Sequence, residues 1–240
     1  MIKIENIKVT GWEAAIRGMR NPMNSWDKSD SHFCEEDCPH VINDTEPAKE
    51  CDNGAYGFCI GTNDLALMKK LASAGSDHRK FMRMIVVTAD ITAPLYWWKE
   101  YDTYKVGTVA NSCSTMHKIH ERDLTLDDFS HEHLDDKAMF RLAVDGKYDE
   151  DDLIVTPESM LEIIVSLLNC YRENYLETQD KSWWYKMIQF LPTSYNQKRT
   201  IMLNYENLVN MYKAREHHKL DEWRQFCEQM KELPYFVELL

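Results

Sequence analysis

A chain of 240 residues with 44% hydrophobic and 28% charged residues has the composition of an ordinary globular protein with material for a substantial core. Its net charge of −12 argues against a general nucleic-acid binder, whose affinity comes from neutralising phosphates, although a few local Arg and Lys residues can still hold one phosphate. No apolar run approaches the ~18 residues needed to span a membrane, and the N-terminus lacks a signal-peptide core. Seven cysteines, an odd number, then suggest free thiols in a reducing cytoplasm.

MIKIENIKVT predicts a first strand with Ile2, Ile4, Ile7 and Val9 as its apolar positions. Gly11-Trp12 opens a short helix, WEAAIRGMR, which carries Arg17 and Arg20 and is ended by Pro22. Residues 23–62 are polar, acidic and rich in Cys, His and Asn. Cys34, Cys38, His40 and Cys51 have the ligand chemistry of a zinc site. Their spacing, Cys-x3-Cys rather than Cys-x2-Cys, equally suits a surface insertion with reduced thiols. Asn63 is the expected N-cap of DLALMKKLASAG, with Leu65, Met68, Leu71 and Ala72 on one face and Gly75 as the stop.

The stretch 76–117 organises the chain. MRMIVVTADI places Ile85, Val87, Ala89 and Ile91 on one face and Met84, Val86 and Thr88 on the other, which predicts a strand buried on both sides. Pro94 suits the first turn of a helix, expected over Pro94–Lys105 and ended by Val106-Gly107. The polar run Asn111–Thr115 follows the helix, and the cationic turn Asp77-His78-Arg79-Lys80 precedes the strand.

Residues 120–155 read as an acidic, solvated excursion, with His131 and His133 beside carboxylates as a weaker metal alternative. Thr156-Pro157-Glu158 starts a helix whose Leu161, Ile164, Leu168, Tyr171 and Tyr175 share a core face. A helix over Trp183–Leu191 stops at Pro192, and Thr193–Leu203 predicts a strand that begins with the cationic Lys198 and Arg199. Asn204 caps a helix with Leu208, Met211, Tyr212 and Arg215 in its buried stripe. LDEWRQFCEQM closes the chain on Leu220, Trp223, Cys227 and Met230, with Arg224 beside that face. Strands separated by helices predict a mixed α+β fold, a central sheet with flanking helices, in one domain over 1–240 with acidic insertions at about 23–62 and 120–155.

The order in FLPTSYNQKRTIMLNYENLVNMYKAREHHKLDEWRQFCEQM is a helix ending in Leu-Pro, a strand with a basic residue, an Asn-capped helix and a last helix with an arginine. Upstream lie the His78-led turn, Ala93-Pro94 and a loop holding Asn111 and Ser114. Together these resemble the flavin-dependent thymidylate synthases, over the chain outside residues 23–62 and 120–155. The resemblance implies that family's fold and a homotetramer with shared sites. It implies transfer of a one-carbon unit from methylenetetrahydrofolate to dUMP, with FAD carrying the hydride and NADPH reducing it. Position by position, Lys105, Asn111, Arg215 and Lys219 fall where the family contacts flavin. Ser114, Lys198 and Arg224 fall where it holds the phosphate and base of dUMP, His78 on an active-site histidine and Glu100 on a polar group near the substrate.

One motif departs from the pattern. The family's Arg-His-Arg falls on Thr103-Tyr104-Lys105, or on Tyr104-Lys105-Val106, so only Lys105 keeps a charge. The arginine expected after the loop serine is Met116. Two lost charge-assisted contacts would cost on the order of 3–6 kcal/mol of flavin binding unless Arg17, Arg20 or Arg79 compensates. A non-catalytic nucleotide-binding or nucleotide-sensing protein is therefore the alternative to the enzyme. Two further expectations concern side chains. Cys113 reads as a packed thiol or a nucleophile, and Trp97, Trp98 and Tyr101 as a broad aromatic face for assembly.

Overall fold

The computed structural model describes residues 2–33, 54–55, 57–134, 139–142 and 153–240. The zinc candidates Cys34, Cys38, His40 and Cys51 lie outside them. In chain order the elements are β1 (Lys3–Thr10), α1 (Trp12–Arg20), β2 (His32–Phe33), β3 (Gly54–Ala55), β4 (Phe58–Cys59) and α2 (Thr62–Ser73). Then come β5 (Val86–Pro94), α3 (Leu95–Tyr101), β6 (Val109–Ser112), α4 (Thr115–Lys118), β7 (Phe140–Leu142) and β8 (Leu153–Val155). The chain ends with α5 (Pro157–Thr178), α6 (Lys181–Phe190), β9 (Asn196–Asn204), α7 (Tyr205–Arg215) and α8 (Asp221–Met230). The central sheet has the order β1-β5-β9-β6, and the helices around it give the expected mixed α+β class. β4 pairs antiparallel with both β2 and β3, and β7 with β8. None of the described helices is long and apolar enough to cross a membrane.

The residues group into two compact units: residues 2–91, 101–111 and 199–240 in one, and 92–100 with 112–198 in the other. In the first, β5 carries the predicted alternation. Ile85, Val87, Ala89 and Ile91 are at most 3% exposed. The opposite face is only half-buried, because it holds Asp90 between two strands: Asn6 Nδ2 donates to Asp90 Oδ2 at 2.9 Å and Thr200 Oγ1 to Oδ1 at 2.6 Å. The strand begins later than expected. Arg79–Met84 is a 3-10 turn, and Met84 is exposed. On β1 the apolar positions change phase between Ile4 and Ile7, and Asn6 at φ +53° lies at that change.

Local chemistry fixes the helix ends. Gly11, before α1, has φ +92°, and a Cβ there would lie 2.0 Å from the Met84 carbonyl oxygen, so only glycine fits. Asn63 does not cap α2, contrary to expectation. The helix starts two residues earlier, at Thr62, and its free amides at Asn63 and Asp64 donate to the Asp30 carboxylate at 2.9 and 3.0 Å. Asn204 does cap α7, accepting from the Asn207 amide at 3.0 Å. Pro94 closes β5 rather than opening a helix, and α3 ends at Tyr101, four residues short of Lys105. Asp102 has poor helix propensity and instead accepts from Arg199 Nη1 at 2.8 Å. β9 starts at Asn196 because Thr193–Tyr195 turn back on Pro192, whose carbonyl accepts from the Tyr195 amide at 3.1 Å.

The second unit is built on α5 and α6. Thr156 caps α5 reciprocally with Ser159, and Leu161, Val165 and Leu168 meet Met187 of α6. Leu124 and Phe129 join this core at 4% and 2% exposure, so residues 120–134 are not the solvated excursion expected from their acidity. Trp97 and Trp98 of α3 are fully buried, and Tyr101 is 2% exposed. The aromatic face read as an assembly surface is therefore interior, with Trp98 Nε1 donating to the Gln197 carbonyl at 2.9 Å.

An ion pair with no signal in the sequence ties α1 to α2. Arg20 and Asp64 are 4% and 0% exposed, and Arg20 Nε donates to Asp64 Oδ1 at 2.6 Å. Asp64 Oδ2 accepts from the Ser29 and Ser31 hydroxyls at 2.7 and 2.6 Å and from the Asp30 and Ser31 amides at 3.1 Å. Burial pushes the Asp64 carboxyl up, but hydrogen bonds from Ser31, Ser29 and Arg20, with the Arg20 charge, more than offset this and leave it below its ordinary value. Because the folded value is depressed, this stabilisation is present above the unfolded carboxyl value near 3.8 and is lost as pH falls through the folded one. Asp64→Asn should therefore be less stable than the parent at neutral pH by about 3–5 kcal/mol in urea unfolding, with a gap that narrows below pH ~4. Equal stability at neutral pH would show that the pair contributes nothing.

Candidate functional site

The second unit carries a cleft of about 600 Å³. One wall is the start of β9 with the turn before it: Tyr195, Asn196, Gln197 and Lys198. The facing wall runs from Cys113 through α4 to Arg122 and the turn at Asp127-Asp128.

Backbone hydrogen bonding sets the distance between these walls at one end. The Cys113 amide donates to the Lys198 carbonyl at 2.9 Å, and the Cys113 carbonyl accepts from Gln197 Nε2 at 2.8 Å. Gln197 is 8% exposed, so its side chain acts as a fixed strut. Ser114, the next residue, caps the single turn of α4, its Oγ accepting from the His117 amide at 3.1 Å. At the other end Ser130 bridges to β9, its amide donating to the Ser194 carbonyl at 2.8 Å and its hydroxyl to Asn196 Oδ1 at 3.1 Å.

Charge in the cleft is balanced, with Lys118, Arg122 and Lys198 against Glu121, Asp127 and Asp128. Lys118 pairs with Glu121. Arg122 makes a two-pronged contact with Asp128, Nη1 lying 2.8 Å from Oδ2 and Nη2 bonded to Oδ1. Burial raises the Asp128 carboxyl, but the Arg122 hydrogen bonds, the Thr125 amide and the Arg122 charge outweigh it, so the group stays ionised well into acid. Burial, followed by the Asp128 charge, pushes the Tyr195 hydroxyl up, which keeps it a neutral donor.

Of the residues singled out in the sequence, Ser114 and Lys198 meet in this cleft. Cys113 is exposed and lines it too, so it is not a packed thiol. Glu100 is half-buried on α3 in the same unit but does not line the cleft. In the other unit His78 is exposed at the head of the 3-10 turn, and Lys105, Asn111 and Lys219 are exposed. Arg224 is exposed there as well. It pairs with Asp221, donates to the His218 carbonyl at 2.8 Å, and lines a shallow cavity with Gln225 and Glu228. Arg215 lies against aromatic rings, with Nε donating to the Tyr104 hydroxyl at 2.9 Å and the guanidinium 4.8 Å from the Trp223 ring centre. His131 donates through Nδ1 to the Phe129 carbonyl at 2.9 Å, and no metal-ligating cluster occurs among the described residues.

No family model matches the chain, and no curated protein does. Solved structures do. Two are of the flavin-dependent thymidylate synthase X of Helicobacter pylori with FAD and dUMP. They are 16% and 15% identical, with TM-scores of 0.61 and 0.62, over 99% of this chain and 96% and 97% of theirs. A third is a UMP/dUMP methylase from Streptomyces cacaoi bound with 5-Br dUMP, 14% identical, with a TM-score of 0.56 over 100% of this chain and 94% of its own. The chain has a flavin-dependent thymidylate synthase-like fold. Among the cleft residues that the sequence did not single out are Lys118, Arg122, Asp128, Asn196 and Gln197. Four carried no pattern. Arg122 was hidden in a segment whose acidity suggested a solvated loop, and only the burial of Leu124 and Phe129 on its far side gives it a fixed place.

Proposed function

We propose that the protein binds a pyrimidine deoxynucleoside monophosphate, dUMP in particular, in the cleft between Ser114 and Lys198. The observation that carries this reading is that Ser114 and Lys198, distant in sequence and both expected at the phosphate and base of dUMP, line one cleft on a fold whose solved examples hold dUMP. A hydroxyl and an ammonium are suitable donors to a phosphate, and the neighbouring amides of Asn196 and Gln197 offer the polarity a pyrimidine base requires. Arg224 lies outside this lining and already pairs with Asp221, so the reading rests on Ser114 and Lys198.

Support for the flavin is weaker. A pyrophosphate calls for arginines that present their forks. Arg215 instead lies over the Tyr104 and Trp223 rings, and Lys105 and Lys219 are exposed amines without fork geometry. Of the arginines that could compensate, Arg20 is buried against Asp64 and Arg79 is bound to Glu206 and Asn210, which leaves Arg17. The residues present do not fit FAD as a tight cofactor. We therefore favour a nucleotide-binding protein over flavin-dependent one-carbon transfer from methylenetetrahydrofolate with NADPH. A homotetramer, implied by the resemblance, belongs to this proposal, and light scattering that shows a stable monomer would remove it.

Calorimetric titration with dUMP tests the main reading. Lys198→Ala should weaken binding by about 1.5–3 kcal/mol, the range for a hydrogen bond to a charged group, with an unchanged unfolding midpoint. Absence of dUMP binding by the parent would overturn the reading. The protein purified without added flavin should be colourless and take up FAD only weakly. A yellow protein that releases tritium from C5-labelled dUMP when given methylenetetrahydrofolate and NADPH would restore the enzyme.

A further inference from the structure

We propose that Arg122 is the guanidinium that receives the nucleotide phosphate, held ready by Asp128 and Thr125. The proposal rests on the reading of the cleft as a nucleotide site and names a residue that neither the sequence pattern nor the resemblance assigns.

The geometry of the arginine carries the argument. A guanidinium has five N–H donors, and it can grip an oxyanion end-on through both Nη atoms or side-on through Nε and Nη2. Asp128 takes the end-on fork, through Nη1 and Nη2, and the other Nη1 hydrogen goes to the Asp123 carbonyl at 2.9 Å. Among the described residues, Nε–H and the second Nη2–H, the side-on edge, have no acceptor. The side chain is 63% exposed and lines the cleft with Lys198 and Ser114. An arginine that lines a cleft with its end-on fork fixed and its side-on donors unclaimed by any described residue is prepared for a second oxyanion.

Asp128 is itself fixed. Its side chain is 13% exposed, and its Oδ2 accepts from the Thr125 amide at 2.9 Å in a reciprocal cap. Thr125 lies between Leu124, which is buried in the core, and the turn that carries Asp128. Arg122 is therefore oriented by its surroundings before any ligand arrives, and less conformational entropy is lost on binding. Lys118 and Lys198 offer point charges without this directionality.

The charges also select among phosphates. Lys118 and Arg122 are each paired with a carboxylate, and Asp127 lines the same cleft. Such a site suits one terminal phosphate, and a triphosphate would add charge without matching cations. Asp128 and Thr125 are positioning residues here, and Arg122 is the contact.

The test separates phosphate from nucleoside. The dissociation constants of dUMP and deoxyuridine are measured by calorimetry for the parent, Arg122→Ala, Arg122→Lys, Asp128→Asn and Lys198→Ala. Their ratio for each protein is the phosphate increment. Arg122→Ala should cut the increment by about ten- to a hundredfold while leaving deoxyuridine affinity unchanged. Arg122→Lys should fall between, because it keeps charge without the fork, and Asp128→Asn should cost less than Arg122→Ala. A purely structural Arg122 would lower the unfolding midpoint and both affinities together, leaving the increment intact, which overturns the inference. If Arg122→Ala does not fold, Arg122→Lys is judged by the same ratio. An unchanged increment in the arginine variants with a reduced one in Lys198→Ala refutes the role of Arg122 and leaves the nucleotide reading standing. A parent that binds no dUMP refutes both.

Discussion

Everything said of the cleft depends on the backbone of one residue. Cys113 is held at its amide by the Lys198 carbonyl and at its carbonyl by the Gln197 side chain, so the loop after β6 is joined to β9 at two points. A loop tethered once can pivot, whereas one tethered at both backbone polar groups of the same residue has little rotational freedom left. The consequence for the site is direct. Ser114 follows the tethered residue and Lys198 belongs to the tethering strand, so the backbones of the two residues keep a fixed separation. Trp98 extends this arrangement inward, because its indole N–H holds the Gln197 carbonyl while the Gln197 side chain holds the loop. A buried aromatic residue thereby supports a polar site through one intervening amide.

The arginines of this chain divide by what surrounds them. Arg20 is enclosed with Asp64, Arg79 and Arg83 share Glu206, and Arg199 holds Asp102. In each of these a carboxylate neutralises the charge, and for Arg20 the alternative, an unpaired buried cation, would be severely destabilising. Arg215 is neutralised differently, by the faces of Tyr104 and Trp223. Tyr104 stands in the stretch where the resemblance expects cations. Its ring and hydroxyl hold Arg215, which the resemblance places at the same ligand.

Much of the fold was legible because its signals are local. The alternation of Ile85, Val87, Ala89 and Ile91, the Thr156 and Asn204 caps and the core face of α5 are each decided within a few residues of chain. The errors came where a distant partner prevailed over a local preference. Asp30 replaced Asn63 as the cap of α2, Arg199 drew Asp102 out of a helix, and the helix amphipathy of Trp97 and Trp98 did not reveal that both sides would be covered. The site was half legible. Ser114 and Lys198 carried a family pattern, but composition pointed the wrong way for residues 120–134. There Leu124 and Phe129 are buried in the core and Leu126 and Leu134 pack against it, four positions in a polar run.

That division also explains how a fold can be shared at 14–16% identity. The central strand needs only apolar side chains of suitable size on one face, a requirement many sequences satisfy. A ligand site needs particular donors at particular distances, and one replacement can redirect several of them. Here the tether at Cys113 uses main-chain atoms and a glutamine, neither of which depends on the identity of the ligand. The frame of the cleft can therefore stay in place while the charges lining it are exchanged. Arg122 and Arg215 illustrate the contrast, the first paired with Asp128 at the cleft and the second folded against aromatic rings. On the proposed reading, a nucleotide phosphate and a flavin pyrophosphate would draw on different members of this set, so a protein of this fold could hold one without the other.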